Sequence, residues 1–462
     1  MIRVLIVSSD IVDENMAGVG VRYWEIAHAL AVECAVTLAI PNQTRLSSPN
    51  VKLVSFDWQH GDLRELARQA DVIIIQGFAL HFHPYLRELG IPLAVDLYVP
   101  NLLEGLVWHD RDDWSAWIPA YEEYLRVQLE LLRAGDYFFC ASERQRDYWL
   151  GWLHAQKRIN PHTYHADPSL RGLIDLVPFG LPNQPLPPHR PVLKGVHPAI
   201  PADARIILWS GGLWDWLDPL TLIQAVAKLA PSHPELRLVF LGTRHPNAVV
   251  SGMTMPERAM QLCRELGLYE TVAFFGDWVP YQQRGDYLQE ADLAVITHLD
   301  HIETHFSFRT RVLDCIWAGL PIITTQGDAM ADLVEKSGIG LTVSPGDVDV
   351  LCAAIERMLT SADGAIPAES WDRLRQSLSW QAAVQPLLAY CRQPHLAPDK
   401  GQYLTELERI SSAKDAFAND LSAKLNEASA KRDELQNILN YYHSRLPFRI
   451  YHFVQRVLQR GR

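Results

Sequence analysis

The sequence predicts an α/β protein with two doubly wound parallel sheets in series, followed by a long C-terminal helix or coiled coil. Three observations support this fold class. Short β-branched runs alternate with amphipathic stretches over residues 1–177. A second series of the same kind follows a proline-rich stretch. From Gln402 to Leu446 the chain contains neither glycine nor proline.

The first series predicts a Rossmann-like domain over residues 1–190. Its strand candidates, in chain order, are "IRVLIVSS", "AVTLAI", "VKLVSF", "DVIIIQG", "PLAVDLY" and "DYFFCAS". "GVRYWEIAHAL" is typical of a helix, and the Trp- and Tyr-rich residues 104–133 predict further helices beside a cleft. Strands this apolar, separated by helices, predict a parallel sheet that is covered on both faces.

Prolines crowd "PFGLPNQPLPPHRPVLKGVHPAIP", residues 178–201, which is typical of a domain linker. A second Rossmann-like domain is predicted over residues 191–392. Its strand candidates are "RIILWSGG", "LRLVFLGT", "TVAFFGDW", "ADLAVITH", "LPIITT" and "GIGLTVS". Two such domains in series place a cleft between their sheets, and ligands of open α/β sheets bind at the carboxyl ends of the strands.

Residues 401–443 predict a long helix or coiled coil. One heptad frame puts apolar residues at nine of twelve a and d positions. The a positions are Leu404, Ser411, Ala418, Leu425, Arg432 and Leu439, and the d positions are Leu407, Lys414, Leu421, Ala428, Leu435 and Tyr442. A coiled coil would make homo-oligomers, and a solvated single helix is the alternative.

The tail, residues 444–462, predicts a basic amphipathic helix. It carries five arginines and no acidic residue. On a helix, Leu446, Ile450, Phe453, Val454 and Val457 gather on one side and the basic residues on the other. This pattern predicts an interfacial anchor on an anionic membrane surface. The alternative is a helix that packs on a partner or on the coiled coil.

Composition restricts the class of protein. A hydrophobic content of 48% predicts a globular chain, and a net charge of -12 argues against nucleic-acid binding. The six cysteines lie far apart, which predicts buried reduced thiols. No run is long enough for a signal peptide or a membrane span. We therefore expect a cytoplasmic protein, peripheral at the membrane through its tail.

The stretch "SFRTRVLDCIWAGLPII", residues 307–323, predicts a buried helix that Ser307 caps and whose first turn holds two arginines. The apolar face of this helix comprises Leu313, Ile316, Trp317 and Leu320. Cations at a helix start oppose the helix dipole. We expect an anion to offset this, because guanidinium groups and free N–H groups bind phosphate. Pairing of both arginines with surface carboxylates is the alternative.

"FSFRTRVLDCIWAGLP" resembles the phrase E-x-F-G-(x)4-E-A-(x)2-A-G-x-P of the group 1, or family 4, glycosyltransferases of GT-B fold. The resemblance covers residues 1–392. It implies that Asp314, at the second acidic position, binds the ribose of the donor. The first acidic position falls on Phe306, and Glu303 is expected to replace it as a catalytic residue near the transferred sugar.

The family also carries a G-R-(x)4-K-G loop that clamps the donor diphosphate. Here the loop is "GGLWDWLDP", with Gly212 and Leu217 at the positions of the two basic residues. We expect Arg309 and Arg311 of the helix start, Thr310 between them, and Arg244 of "GTRHPN" to bind the diphosphate instead.

Weaker matches complete the expected site. In "AGVGVRYWEIAHAL" the resemblance implies that Gly18 and Gly20 approach the donor phosphate or the acceptor, although such a pair is equally typical of a simple turn. Asp96, which ends "PLAVDLY", is expected to be catalytic, with a helix cap or turn as the alternative. Trp278 and Val279 of "FFGDWVP" are expected to bind the nucleotide base.

The resemblance implies a retaining glycosyltransferase that moves a sugar from a nucleotide-diphosphate donor to a hydroxyl acceptor. We expect a glycan or lipid-linked acceptor in cell-surface glycan assembly. No cofactor is expected, and histidines such as those of "HLDHIETH" lack the spacing of a metal site. The alternatives are a sugar-nucleotide epimerase or phosphorylase of the same architecture, and an inactive coiled-coil scaffold.

Overall fold

The computed structural model describes residues 1–108, 114–247, 253–360, 366–400 and 402–460. It divides into two compact units, Met1–Pro398 and Asp399–Arg462. The first unit contains a seven-stranded sheet and a six-stranded sheet, as the alternation of strands and helices predicts. All strand pairs in both sheets are parallel.

The first sheet has the strand order β3-β2-β1-β4-β5-β6-β7. The strands are β1 (Arg3–Val7), β2 (Ala35–Ile40), β3 (Val51–Ser55), β4 (Val72–Ile75), β5 (Leu93–Asp96), β6 (Tyr137–Cys140) and β7 (Ile174–Leu176). The helices are α1 (Gly18–Leu30), α2 (Arg64–Arg68), α3 (Ala79–Phe82), α4 (Asn101–Trp108), α5 (Trp114–Ala134), α6 (Glu143–Ala155) and α7 (Pro161–Ala166), with a 3-10 turn at Pro84–Glu88. The central strand β4, "VIII", is fully buried because helices cover both faces.

The second sheet has the strand order β10-β9-β8-β11-β12-β13. The strands are β8 (Arg205–Trp209), β9 (Leu236–Phe240), β10 (Ala273–Phe275), β11 (Leu293–Ile296), β12 (Ile322–Thr325) and β13 (Gly340–Val343). The helices are α8 (Pro219–Leu229), α9 (Met255–Glu265), α10 (Arg284–Glu290), α11 (Ile302–Phe306), α12 (Arg311–Ala318), α13 (Ala329–Ser337), α14 (Val348–Thr360), α15 (Ala368–Ser377), α16 (Trp380–Ala383) and α17 (Gln385–Arg392), with a 3-10 turn at Tyr281–Gln283.

Each sheet reverses its strand order beside its first strand. In the first domain β1 lies between β2 and β4, and in the second domain β8 lies between β9 and β11. At such a switch point the two neighbouring loops run in opposite directions, and a crevice forms between them at the carboxyl ends of the strands. The two crevices are therefore where the fold offers space for a ligand.

The last helices of the second domain return to the first domain. The backbone around Leu181 forms a short parallel bridge with the backbone around Trp380, in which Trp380 N donates to Leu181 O at 2.9 Å. The ring of Tyr390 stacks on Tyr137 of β6 at 4.5 Å and 12°, and Arg392 pairs with Glu33. Residues of both domains consequently belong to one continuous apolar cluster.

The second unit consists of α18 (Gln402–Gln459), a single helix that continues through Pro447. The predicted boundary between residues 443 and 444 is therefore not a break in secondary structure. Leu421, Leu425, Leu435 and Leu439 are half or more exposed along it. The side chains of the predicted heptad residues Leu404, Leu407, Ser411 and Tyr442, and of Leu446 in the tail, lie outside the described residues. In the described parts of the chain, no helix combines the length and apolar character that a membrane span needs.

Candidate functional site

A cavity of about 440 Å³ opens between the two domains. Its walls include the loops that follow β1, β4, β8 and β11, so it lies at the carboxyl ends of the strands beside both switch points. The first turn of α4 and the start of α12 complete the walls. A cavity of this size, lined by apolar surface with a few convergent polar groups, is typical of a small-molecule site.

The helix that the sequence predicts after residue 307 begins later than expected. It starts at Arg311, with Thr310 at its N-cap position and facing the cavity. Ser307 does not cap it: this residue ends the short preceding helix α11, and its hydroxyl donates to Thr304 O at 2.9 Å. The predicted apolar face is confirmed, since Leu313 and Ile316 are buried with their neighbours along the helix.

Arg309 lies just before this helix and is bound to Glu303. Its two terminal nitrogens donate to the two oxygens of Glu303 at 3.0 and 2.6 Å. Both side chains are almost fully buried, and the Nε of Arg309 lies 3.7 Å from Asp328, which caps α13. Arg309 therefore pairs with a carboxylate, as in the alternative to phosphate binding given above. This carboxylate is buried, however, and not at the surface. Glu303 borders the cavity, but its own side chain is 1% exposed.

Arg311 contacts the glycine loop that follows β8. Its Nη2 donates to Gly212 O, and its guanidinium lies 5.2 Å from the ring centre of Trp209. A Cβ added to Gly211 would lie 3.4 Å from its Nε, so this loop fits the guanidinium closely. Within the described residues its Nη1 is buried and has no hydrogen-bond partner. Burial, together with the charge of Arg309, lowers the pKa of Arg311 to about 9.

Asp314 faces the cavity one turn along α12 and is partly exposed. Its Oδ1 accepts a hydrogen bond from Nε of Arg284 at 2.9 Å. The Arg284 guanidinium also lies 3.7 Å from the ring centre of Tyr281 and donates to the carbonyl of that residue. Sequence reasoning missed Arg284, because nothing in "RGDYLQE" marks it as the partner of a residue 30 positions later. Among the described residues, no hydrogen bond is made to the second oxygen of Asp314.

Aromatic rings cover the cavity wall beside the loop "GGLWDWLDP". The rings of Trp214 and Trp278 lie 6.2 Å apart, and that of His245 lies within 5.7 Å of both. A Cβ on Gly212 would come within 2.4 Å of the Trp214 ring, and one on Gly242 within 2.9 Å of the Trp278 ring. Both indoles thus lie directly against glycine backbone, so a side chain at either glycine would displace the ring that lies there.

The predicted glycine pair divides between two roles. Gly18, the first residue of α1, is exposed in the cavity, and a Cβ there would meet nothing within 4 Å. Gly20 is buried, and a Cβ there would lie 2.1 Å from Ile11 O. Gly18 is therefore open to a ligand, whereas Gly20 allows α1 to pack against the loop that follows β1. Val279 lines the cavity beside Trp278, as expected.

Two predicted residues lie away from the cavity. Asp96 is fully buried, and its oxygens bind Arg22 at 2.6 and 3.1 Å, while Tyr98 N donates to it at 3.0 Å. Its position does not fit the expected catalytic role, because the carboxylate is buried in an ion pair with Arg22 and does not line the cavity. Arg244 is exposed and is not part of the cavity wall, whereas the next residue, His245, is.

Glu104 of α4 faces the cavity and was not singled out from the sequence. Burial and then the charge of Glu303 raise the pKa of its carboxyl to about 8, although the charge of Arg309 acts in the opposite direction. The described residues provide no hydrogen bond or ion pair to this carboxyl. An acidic residue in an apolar, aromatic stretch was the only signal that could have indicated it. No group of three or more metal-binding side chains occurs in the described ranges.

Comparison with known proteins identifies the second domain. Residues 204–361 match the group 1 glycosyl transferases. D-inositol 3-phosphate glycosyltransferase of Corynebacterium urealyticum is 26% identical over 203 residues, which are 44% of this chain and 46% of that protein. The corresponding protein of Mycobacterium marinum is 28% identical over 41% of this chain and 38% of its own length. The chain thus spans less than half the length of these curated relatives.

Solved structures show the same fold over most of the chain. Sucrose-phosphate synthase of Thermosynechococcus elongatus superposes with a TM-score of 0.62 at 18% identity, over 85% of this chain and 99% of that protein. Anabaena HepE, crystallised with UDP and glucose, superposes with a TM-score of 0.58 at 13% identity, over 85% and 100% of the two chains. Residues 204–361 of this chain therefore resemble the group 1 glycosyl transferases, and its two Rossmann-like domains share the GT-B fold of these solved structures.

Proposed function

We propose that the protein is a glycosyltransferase that moves a sugar from a nucleotide-diphosphate donor to a hydroxyl group of an acceptor. The observation that carries this proposal is Nη1 of Arg311, which has no hydrogen-bond partner in the described part of the chain and is held against the Gly211–Gly212 loop at the edge of the cavity. A diphosphate would supply the missing partner. The start of α12, at Thr310, adds the positive end of a helix dipole at the same place.

The other walls fit the rest of such a donor. Asp314 has an oxygen free to accept from a ribose hydroxyl. Trp214 and Trp278 offer indole faces to a base, and stacking of this kind contributes about 1–3 kcal/mol for each base. The first turn of α1, at Gly18, brings backbone N–H groups to the opposite wall.

In the proposed reaction the bond between the anomeric carbon and the diphosphate oxygen breaks, and a bond to the acceptor oxygen forms. The acceptor proton passes to the departing nucleoside diphosphate. Negative charge grows on the diphosphate as it leaves, and Arg311 with the helix start would stabilise that charge more in the transition state than in the ground state. We further propose a retaining outcome and no metal requirement. Product stereochemistry by NMR and turnover in EDTA test these two points.

The acceptor is proposed as a sugar or inositol derivative. The curated relatives are named for D-inositol 3-phosphate, and an exopolysaccharide phosphotransferase of Streptomyces coelicolor is 30% identical over 138 residues. Both names concern polyhydroxylated acceptors, which suits a glycan or a lipid-linked acceptor. Release of nucleoside diphosphate that requires an acceptor separates a transferase from an epimerase or a phosphorylase.

The test of donor binding uses calorimetry with UDP, GDP and ADP and with their sugar derivatives. Arg311→Ala should weaken nucleoside-diphosphate binding by roughly 1–3 kcal/mol, the range for a charge-assisted hydrogen bond. Arg244→Ala is the matched control, because Arg244 is exposed outside the cavity. Equal affinities of the wild type and Arg311→Ala would refute the phosphate role, and no binding of any nucleotide would refute the function.

We propose that the end of α18 attaches the protein to anionic membranes at the cytoplasmic face. Ile450, Phe453, Val454 and Val457 follow helical spacing and are all exposed. Arginines on the other side of the helix would each contribute on the order of 1 kcal/mol near an anionic surface. The full chain should co-sediment with phosphatidylserine vesicles in a salt-dependent manner, and truncation after Ser444 should abolish this. Equal sedimentation of both chains would exclude the anchor.

We also propose that α18 pairs with a second copy of itself. Leu421, Leu425, Leu435 and Leu439 occupy a and d positions of the predicted heptad frame and are exposed in the single chain. Light scattering after size exclusion should give an oligomer for the full chain and a monomer for a chain that ends at Pro398. A monomeric full chain would contradict this proposal.

A further inference from the structure

The carboxylate expected near the transferred sugar is not accessible to a sugar. Glu303 is 1% exposed, and both of its oxygens accept from Arg309. Phe306, at the family's acidic position, packs its ring 5.0 Å from that of Tyr148 and is not a cavity residue. A carboxyl that binds hydroxyl groups of the sugar beside this pair would therefore come from another element of the chain.

Glu104 meets these requirements. It lies in the first turn of α4, which packs against α11, the helix that carries Glu303. Its side chain is part of the cavity wall and is half-buried. Glu104 is close enough to Glu303 and Arg309 for both charges to act on its carboxyl. It thus faces the same part of the cavity as the buried pair, but from the first domain.

In the described part of the chain, no basic side chain forms an ion pair with Glu104. The nearest guanidinium, that of Arg309, already gives both terminal nitrogens to Glu303. Burial of the carboxyl and then repulsion by Glu303 raise the pKa of Glu104, and the charge of Arg309 offsets this only in part. Around pH 7 it is therefore a neutral group that can both donate and accept a hydrogen bond.

We propose that Glu104 is a specificity-determining residue that binds a hydroxyl group of the transferred sugar. Neighbouring sugar hydroxyls need partners that donate and accept, and the carboxyl of Glu104 is a group of this kind without a protein partner in the described part of the chain. The sugar would then lie between Glu104 of the first domain and the Glu303–Arg309 pair of the second. This inference rests on the proposed function, because it concerns the sugar of the proposed donor.

The experiment measures the affinity that the sugar adds to the nucleotide. For each donor that binds, calorimetry gives the ratio of the dissociation constants of the nucleoside diphosphate and of its sugar derivative. Glu104→Ala should lower this ratio about tenfold while the affinity for the nucleoside diphosphate stays the same. Glu104→Gln should keep most of the ratio, because an amide also donates and accepts. Glu122→Gln, at an exposed site, is the control.

The outcomes separate the two proposals. If no nucleotide binds to the wild type, the proposed function fails, and this inference fails with it. If nucleotides bind but the ratio is the same in the wild type and in Glu104→Ala, only the role of Glu104 is overturned. If Glu104→Ala unfolds, which circular dichroism would reveal, the same comparison is made with Glu104→Asp, whose carboxyl is one methylene further from the sugar. An unchanged ratio in that variant also overturns the proposal.

Discussion

Arg309 gives both terminal nitrogens to Glu303. Arg311, two residues later, contacts the backbone of Gly212, and one of its nitrogens has no partner among the residues that the structure describes. The sequence assigned the same role to both arginines. The structure gives them different surroundings, since one guanidinium pairs with a buried acid and the other lies against the glycine loop at the cavity wall. Variants of the two residues should therefore differ in kind.

We expect Arg309→Ala to reduce stability more than binding. It leaves the buried carboxylate of Glu303 without its guanidinium partner, and breaking such a pair costs about 3–5 kcal/mol. Urea denaturation measures the loss. The double variant Arg309→Met with Glu303→Leu should recover much of it, because both charges are then absent. If Arg309→Ala keeps full stability and loses nucleotide affinity instead, Arg309 is the phosphate ligand.

We expect the free energy of unfolding to depend on pH through the carboxyl of Glu104. Its pKa is raised to about 8 in the folded protein from 4.5, so between these values the folded state holds a proton that the unfolded state releases. The free energy of unfolding should therefore fall as the pH rises from about 4.5 to about 8. Glu104→Gln cannot titrate and should become more stable than the wild type as the pH rises from 5 to 9. Parallel thermal-melting profiles of the two proteins would contradict this.

At the scale of elements, the two glycines at the start of α1 provide a matched pair. Gly20→Ala places a Cβ 2.1 Å from the carbonyl oxygen of Ile11, which cannot move without the loop after β1. Overpacking of this kind costs typically about 1–3 kcal/mol. Gly18→Ala meets open space and should leave the melting temperature almost unchanged. Equal melting temperatures of the two variants would show that α1 does not pack closely against this loop.

The helix α12 shows what the sequence can and cannot predict. Its buried face followed from the spacing of Leu313, Ile316 and Trp317, since periodicity is local and burial enforces it. Its start was misplaced by a few residues, because α11 uses Ser307 to end a separate helical turn. Contacts between distant positions escaped prediction for a different reason. The pairs Arg22–Asp96 and Arg284–Asp314 depend on how elements pack, and one sequence carries no local signal of that.

The parallel sheets and the position of the cavity were predictable, whereas the side chains that line the cavity were not. Alternating strands and helices lead to a parallel sheet, and a parallel sheet leads to a crevice at its carboxyl ends. The aromatic wall of Trp214 and Trp278 depends on glycines in two different loops and forms only when both loops meet. For this reason the sequence of the loop "GGLWDWLDP" indicated that the cationic clamp is absent, but it did not predict the aromatic wall.

At the scale of the whole molecule, we expect Met1–Pro398 to fold and to bind nucleotides without α18. The structure divides into two units at this point, and the cavity residues all belong to the first. A chain that ends at Pro398 should therefore show the calorimetric nucleotide affinity of the full chain. A tenfold or larger loss of affinity would show that Asp399–Arg462 contributes to the cavity.

The return of the last helices to the first domain has a consequence for synthesis of the chain. The final strand of the first sheet ends at Leu176, but Trp380 and Tyr390, which cover Phe179 and Tyr137, follow about 200 residues later. At about 5–20 residues per second, the ribosome needs roughly 10–40 s to deliver them. During that interval the first domain is translated but incomplete, with aromatic surface open to chaperones. A ribosome stalled before Trp380 should hold a nascent chain that a chaperone still binds, and one stalled well beyond Arg392 should not.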